Sequence, residues 1–95
     1  MIPRITDANR AEILRIAERY GIFAVSVFGS VARGDAEEGS DLDLMVEMKL
    51  PSLMRLAGFK MDVEDVMGCR VDVVEPEAIC HPILRERIFR EAHPL

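Results

Sequence analysis

Residues 41–48, DLDLMVEM, carry a period of two: Leu42, Leu44 and Val46 alternate with Asp41, Asp43, Met45 and Glu47. In an extended strand these two sets point to opposite faces, so one face is made for a core and the other collects the acids. Asp41 and Asp43 then project on the same side, with Cα atoms roughly 6.5–7 Å apart. Acidic groups are seldom set within an apolar run unless a partner or a cation compensates them. A strand of this kind requires both a packed layer behind it and a compensating charge in front.

The flanking sequence supplies the layers. Thr6 or Asp7 is placed to cap a helix whose apolar residues recur at Ala8, Ala11, Ile13, Leu14, Ile16 and Ala17 and which ends at Gly21. The nearly continuous apolar run IFAVSVF, residues 22–28 between Gly21 and Gly29, predicts a central strand buried on both faces. Ser30 is predicted to cap a short helix through Val31, Ala32 and Arg33 that Gly34 closes, and DAEEGS reads as a turn.

After Pro51 and Ser52, apolar residues at Leu53, Leu56, Phe59, Val63, Val66 and Met67 predict a helix despite Gly58, ending at Gly68. CRVDVVEP, residues 69–76, predicts a third strand stopped by Pro76. Pro82 leads into a final charged helix over residues 83–92. The order is helix, strand, short helix, strand, helix, strand, helix: an α/β or α+β chain with one small sheet of about three strands flanked by helices. At 95 residues, it is expected to form a single domain over 1–95.

A formal net charge of −5 without a basic cluster argues against direct nucleic-acid binding and favours a cation or a basic partner. No signal-peptide core precedes the first helix, and no apolar run has the length of a membrane span, so the expected place is a reducing cytoplasm with Cys69 and Cys80 as free thiols. Cys80 adjoins His81, but the spacing from Cys69 fits no paired zinc-ligand pattern, and His93 is expected to be solvated.

Asp72, in the apolar run VDVV, could join Asp41 and Asp43 if its strand neighbours theirs. Three converging carboxylates without a cation repel and take up protons, and all-oxygen ligands favour magnesium or manganese over zinc. Two such ions about 3.5–4 Å apart can activate a hydroxyl and steady a leaving pyrophosphate. Gly29 lets a backbone approach closely, and Ser30 with the amides that follow it offers donors to an anion. Arg33 could bind phosphate or brace the loop through Asp35 or Glu37. Each part alone has an ordinary reading as a turn, a solvated strand face or an ion pair. The calcium-loop pattern and the G-x-x-x-x-G-K-[ST] phosphate loop are both absent.

Together, Gly29-Ser30, ten intervening residues, Asp41-x-Asp43 and a third Asp in a downstream strand form a far more specific pattern than any part. With RVDVVEPEAI and RERIFREAHPL after it, the chain resembles the minimal nucleotidyltransferases of the polymerase-beta superfamily over nearly its whole length. The resemblance implies a mixed sheet flanked by helices and an ATP-dependent nucleotidyl transfer. It implies two Mg2+ ions on Asp41, Asp43 and Asp72, with Asp72 also placed to take the acceptor's proton. Gly29 and Ser30 would bind the β- and γ-phosphates, while Arg33 and Ser40 match the family's usual arginine and serine at the nucleotide loop. Stand-alone members of this length resemble antitoxins that transfer AMP to a HEPN-domain ribonuclease toxin. Two other readings stay open at this point: an antitoxin that acts by binding alone, and nucleotidyl transfer to a small molecule or RNA.

Overall fold

A computed structural model describes residues 1–95. Helix α1 (Asp7–Arg19) leads into strand β1 (Ile22–Phe28), and the short helix α2 (Gly29–Arg33) follows without a break. Strand β2 (Leu42–Met48), helix α3 (Leu53–Met67) and strand β3 (Val71–Val74) come next. A 3-10 turn (Pro76–Ala78), helix α4 (Pro82–Glu91) and the two-residue strand β4 (His93–Pro94) complete the chain. The sheet order is β3-β2-β1-β4, with β2 parallel to β3 and β1 antiparallel to both β2 and β4, so the sheet is mixed.

The alternation in β2 divides the molecule into two layers. Leu42, Leu44 and Val46 face the main core, where Ile13, Ile16 and Ala17 of α1 and Phe59, Val63 and Met67 of α3 pack against them. Met45 faces the other way into a smaller cluster with Ile79 and Ile88, which α4 lays over one end of the sheet. Asp43 lies between Leu42 and Leu44, and so belongs to the α4 face.

Local chemistry sets the helix ends. Thr6 Oγ1 accepts from the Asn9 amide at 3.2 Å and the Thr6 amide donates back to Asn9 Oδ1 at 2.7 Å, a reciprocal cap on α1. Ser52 caps α3 by accepting from the Arg55 amide. Where α1 and α3 cross, the Tyr20 hydroxyl donates to Asp62 Oδ2 at 2.6 Å. Gly58 makes the crossing possible, because a Cβ there would lie 2.6 Å from Tyr20 Cε1. No helix is long and apolar enough to cross a membrane.

The structure differs from the sequence expectations in four places. First, β1 is not buried on both faces: its pairing with β2 skips between Ile22 and Ala24, and Phe23 at the bulge is 62% exposed. The extra residue turns Ile22, Val25 and Val27 to the same core. Second, Ser30 does not cap α2; Phe28 occupies the cap position, and Ser30 lies inside the first turn. Third, β3 is confined to Val71–Val74, because the chain turns at Pro76 into the 3-10 turn. Fourth, the sheet has four strands rather than about three, since His93 and Pro94 pair with Val27 and Ser26. His93 is exposed as expected, yet its backbone is in the sheet.

Candidate active site

Three strands align the central residues. Phe28 pairs with Asp43, and Asp43 pairs with Asp72 on the parallel neighbour, so both aspartates occupy one level on the α4 face. Asp43 is half-buried and Asp72 is exposed. Burial raises the Asp43 carboxyl above its ordinary range, and the charges of Asp72 and then Asp41 raise it further, while Arg33 opposes them. Around Asp43 itself, two acidic neighbours are set against one arginine.

Asp41 lies just before β2, and its Oδ1 accepts from Arg70 Nε at 3.3 Å. This contact turns its carboxylate toward the entrance of β3. No three Asp, Glu, His or Cys side chains stand close enough to share one ion. The register thus brings Asp41, Asp43 and Asp72 to one edge, but their side chains do not close on a common point as the sequence reading expected. Arg70 offers Asp41 a neighbouring countercharge on the β3 side. The donor set is hard oxygen throughout, and its unbalanced charge fits divalent Mg2+.

Gly29 is fitted to this arrangement. Its φ is +74°, which side-chain-bearing residues rarely adopt, and a Cβ there would lie 3.1 Å from Asp43 Cγ and overlap the carboxylate oxygen. The bend from β1 into α2 therefore lies directly against Asp43. Ser30 lines the same recess. Ser40 Oγ accepts from the Glu37 amide at 2.8 Å, pinning the turn that delivers Asp41. Arg33 donates from Nε to Asp35 at 3.2 Å and from Nη1 to Glu91 at 3.0 Å.

Two connected hollows meet at Asp43. A recess of about 320 Å³ is lined by Gly29, Ser30, Arg33, Arg87 and Glu91. A larger cleft of about 700 Å³ opens between α3, the 3-10 turn and α4; it contains Asp43 and Asp72 and is walled mostly by apolar residues such as Leu53, Leu56 and Leu84, with Lys60 and His81 among them. Sequence reasoning missed Arg87, Glu91 and Lys60. The Arg87-to-Glu91 spacing of four was visible on a helix, but the docking of that helix beside α2 was not.

The remaining metal-ligand types do other work. His81 Nδ1 accepts from the Leu84 amide at 3.3 Å and so caps α4. Cys69 and Cys80 are free thiols, and burial, then Asp41 and Glu64, push the Cys69 thiol above its ordinary value. That environment disfavours a reactive thiolate.

The family described as nucleotidyltransferase domain matches residues 11–94. A solved structure provisionally described as a minimal nucleotidyltransferase superposes with a TM-score of 0.81 at 45% identity, covering 93% of this chain and 90% of that one. The protein adenylyltransferase MntA of Thermococcus cleftensis is 34% identical over 93 residues, which span 93% of this chain and 91% of the relative. A chain from a Shewanella oneidensis complex, described as an MNT antitoxin with a tri-AMPylated HEPN toxin, superposes with a TM-score of 0.70 over 95% of this chain and 71% of that one. At 13% identity that likeness is one of fold. With the family match spanning residues 11–94 and a mixed sheet that sets Asp43 beside Asp72 behind the Gly29 bend, the chain belongs to the nucleotidyltransferase domain family, among the minimal nucleotidyltransferases.

Proposed function

We propose that this protein is a Mg2+-dependent protein adenylyltransferase that moves AMP from ATP to a hydroxyl of a HEPN-domain toxin, and is that toxin's antitoxin. The observation that carries the reading is the Asp43 and Asp72 pair at one level of adjacent strands, with Asp43 pressed against the Gly29 bend. The name of the Thermococcus cleftensis relative supports a protein acceptor, and the Shewanella oneidensis complex supports a HEPN toxin as that acceptor. A net charge of −5 suits a basic partner that handles RNA. The pair would work in the cytoplasm, where ATP is held.

Gly29 and Ser30 hold the β- and γ-phosphates, and Arg33 stands beside them in the same recess. Asp41, Asp43 and Asp72 are the residues that would hold two Mg2+ ions, which when bound neutralise phosphate charge and polarise the reacting oxygens. The acceptor oxygen forms a bond to the α-phosphorus as the bond from that phosphorus to the pyrophosphate oxygen breaks. Asp72, the exposed member of the pair, takes the hydroxyl proton from the open side of the sheet. Pyrophosphate leaves from the recess.

The test combines the purified chain with a HEPN protein, Mg2+ and ATP labelled at the α-phosphate. Label on the partner that disappears with Asp43→Ala is the expected result. Label that persists in that variant removes the role given to Asp43. Neutralisation of the toxin without any label would make the protein a binding antitoxin instead.

A further inference from the structure

The smaller recess carries two guanidinium groups from distant parts of the chain, Arg33 at the end of α2 and Arg87 within α4. Glu91 joins them. Its Oε2 accepts from Arg33 Nη1 at 3.0 Å, and its Oε1 accepts from Arg87 Nε at 3.2 Å. The Glu91 side chain is 20% exposed, against 36% for Arg33 and 62% for Arg87. The carboxylate is therefore the least exposed of the three and is held by both cations. Burial opposes its ionisation, but the bonds from Arg87 and Arg33 hold its carboxyl below the usual range.

A guanidinium offers five N–H donors. Arg87 spends only Nε on the protein, and Arg33 spends Nε and Nη1, so both terminal nitrogens of Arg87 and Nη2 of Arg33 are uncommitted. These donors share the recess with Gly29, Ser30 and Asp43. Asp43 and Glu91 are the acids lining the recess and repel a polyanion, and Arg33 and Arg87 are the two cationic residues that can hold one there. Planar guanidinium forks match the oxygens of a phosphate.

We propose that Arg87 binds the terminal phosphates of the nucleoside triphosphate together with Arg33, and that Glu91 is the positioning residue that aims both guanidinium groups into the recess. The inference rests on the nucleotide reading of this recess given above. It gives α4 a part in binding the triphosphate as well as in covering the sheet.

The experiment measures binding of α,β-methylene ATP, which resists transfer, and of AMP, which lacks the terminal phosphates, to the full chain with Mg2+. Arg87→Ala should weaken the triphosphate analogue by about tenfold or more while changing AMP binding less than about twofold. Arg87→Lys should fall between wild type and Arg87→Ala, because it keeps the charge and loses the fork. Glu91→Gln should weaken the analogue when both arginines are present and have no effect once both are replaced by Ala. An Arg87→Ala variant that binds the analogue as wild type does, or that loses AMP equally, overturns the inference. If Arg87→Ala does not fold, Arg87→Lys binding the analogue as wild type does overturns it too. Wild-type protein that binds neither nucleotide would instead sink the nucleotide reading itself.

Discussion

Gly29 and Asp43 touch at the join between β1 and α2, so closely that the glycine's missing side chain is the space the carboxylate fills. The glycine bend and the acid beside it are thus one fitted unit. Neither can be altered without disturbing the other.

Gly29→Ala should therefore act on both fold and chemistry. Forcing a side chain into a left-handed conformation costs about 1–2 kcal/mol, and displacing Asp43 adds to that. For a domain of this size each kcal/mol lowers Tm by about 4–8 °C. Thermal melts should show a loss beyond that of one kcal/mol, and labelled AMP transfer should fall by more than about 100-fold. A variant with wild-type transfer would contradict the contact.

Asp43→Asn should move stability and activity in opposite directions. Burial and the neighbouring Asp72 and Asp41 all disfavour the ionised form of Asp43, so removing its charge should raise the Tm of the metal-free chain. Mg2+ with α,β-methylene ATP should raise the wild-type Tm by mass action and have little effect on the variant. A lower metal-free Tm for Asp43→Asn would refute the claim of accumulated charge.

Tyr20 gives the fold an alkaline limit. Its hydrogen bond to Asp62, then burial and the charge of Asp62, hold its hydroxyl above the ordinary value of 10.0. The folded chain keeps this proton longer than the unfolded chain does. The stabilisation is complete below pH 10 and is lost as pH rises through the raised value. Denaturant titrations should show Tyr20→Phe less stable than wild type at pH 7, with the gap narrowing above pH 10. A constant gap would mean that Tyr20 is not the titrating group.

Gly58→Ala sets helix propensity against packing. In an exposed helix the change would stabilise by about 1 kcal/mol. Here the new methyl meets the Tyr20 ring, with 2.6 Å to Cε1, so the variant should lose stability. In a Tyr20→Ala background the same substitution should become stabilising, and a double-mutant cycle reads that reversal.

Much of this molecule was legible in its residues because local signals and global packing agree. The alternation of β2, the Gly21 and Gly68 stops and the Pro51-Ser52 start each mark an element the structure contains. What stayed hidden depends on partners. His93 and Pro94 have no strand signal of their own, and they pair because β1 offers them a free edge. The one-sided burial of β1 follows from a bulge at Phe23 that no composition reveals. Asp41, Asp43 and Asp72 could be nominated from spacing and pattern, but the turn of Asp41 toward Arg70 is set by the charge that happens to stand nearby. Arg87 and Glu91 gained meaning only once α4 came to rest beside α2.

The short strand β4 reaches further than its length suggests. Beyond it the Leu95 amide donates to the Val25 carbonyl at 2.9 Å, and Arg10 reaches back to the Leu95 carbonyl at 2.9 Å. Pro94 brings no amide hydrogen, so on that flank a foreign strand meets a blunted margin. The same few residues moor α4 to β1, whose far tip is the Gly29 bend. Residues 93–95 thus act as a clasp that fastens the wall bearing Arg87 to the strand that leads into Gly29.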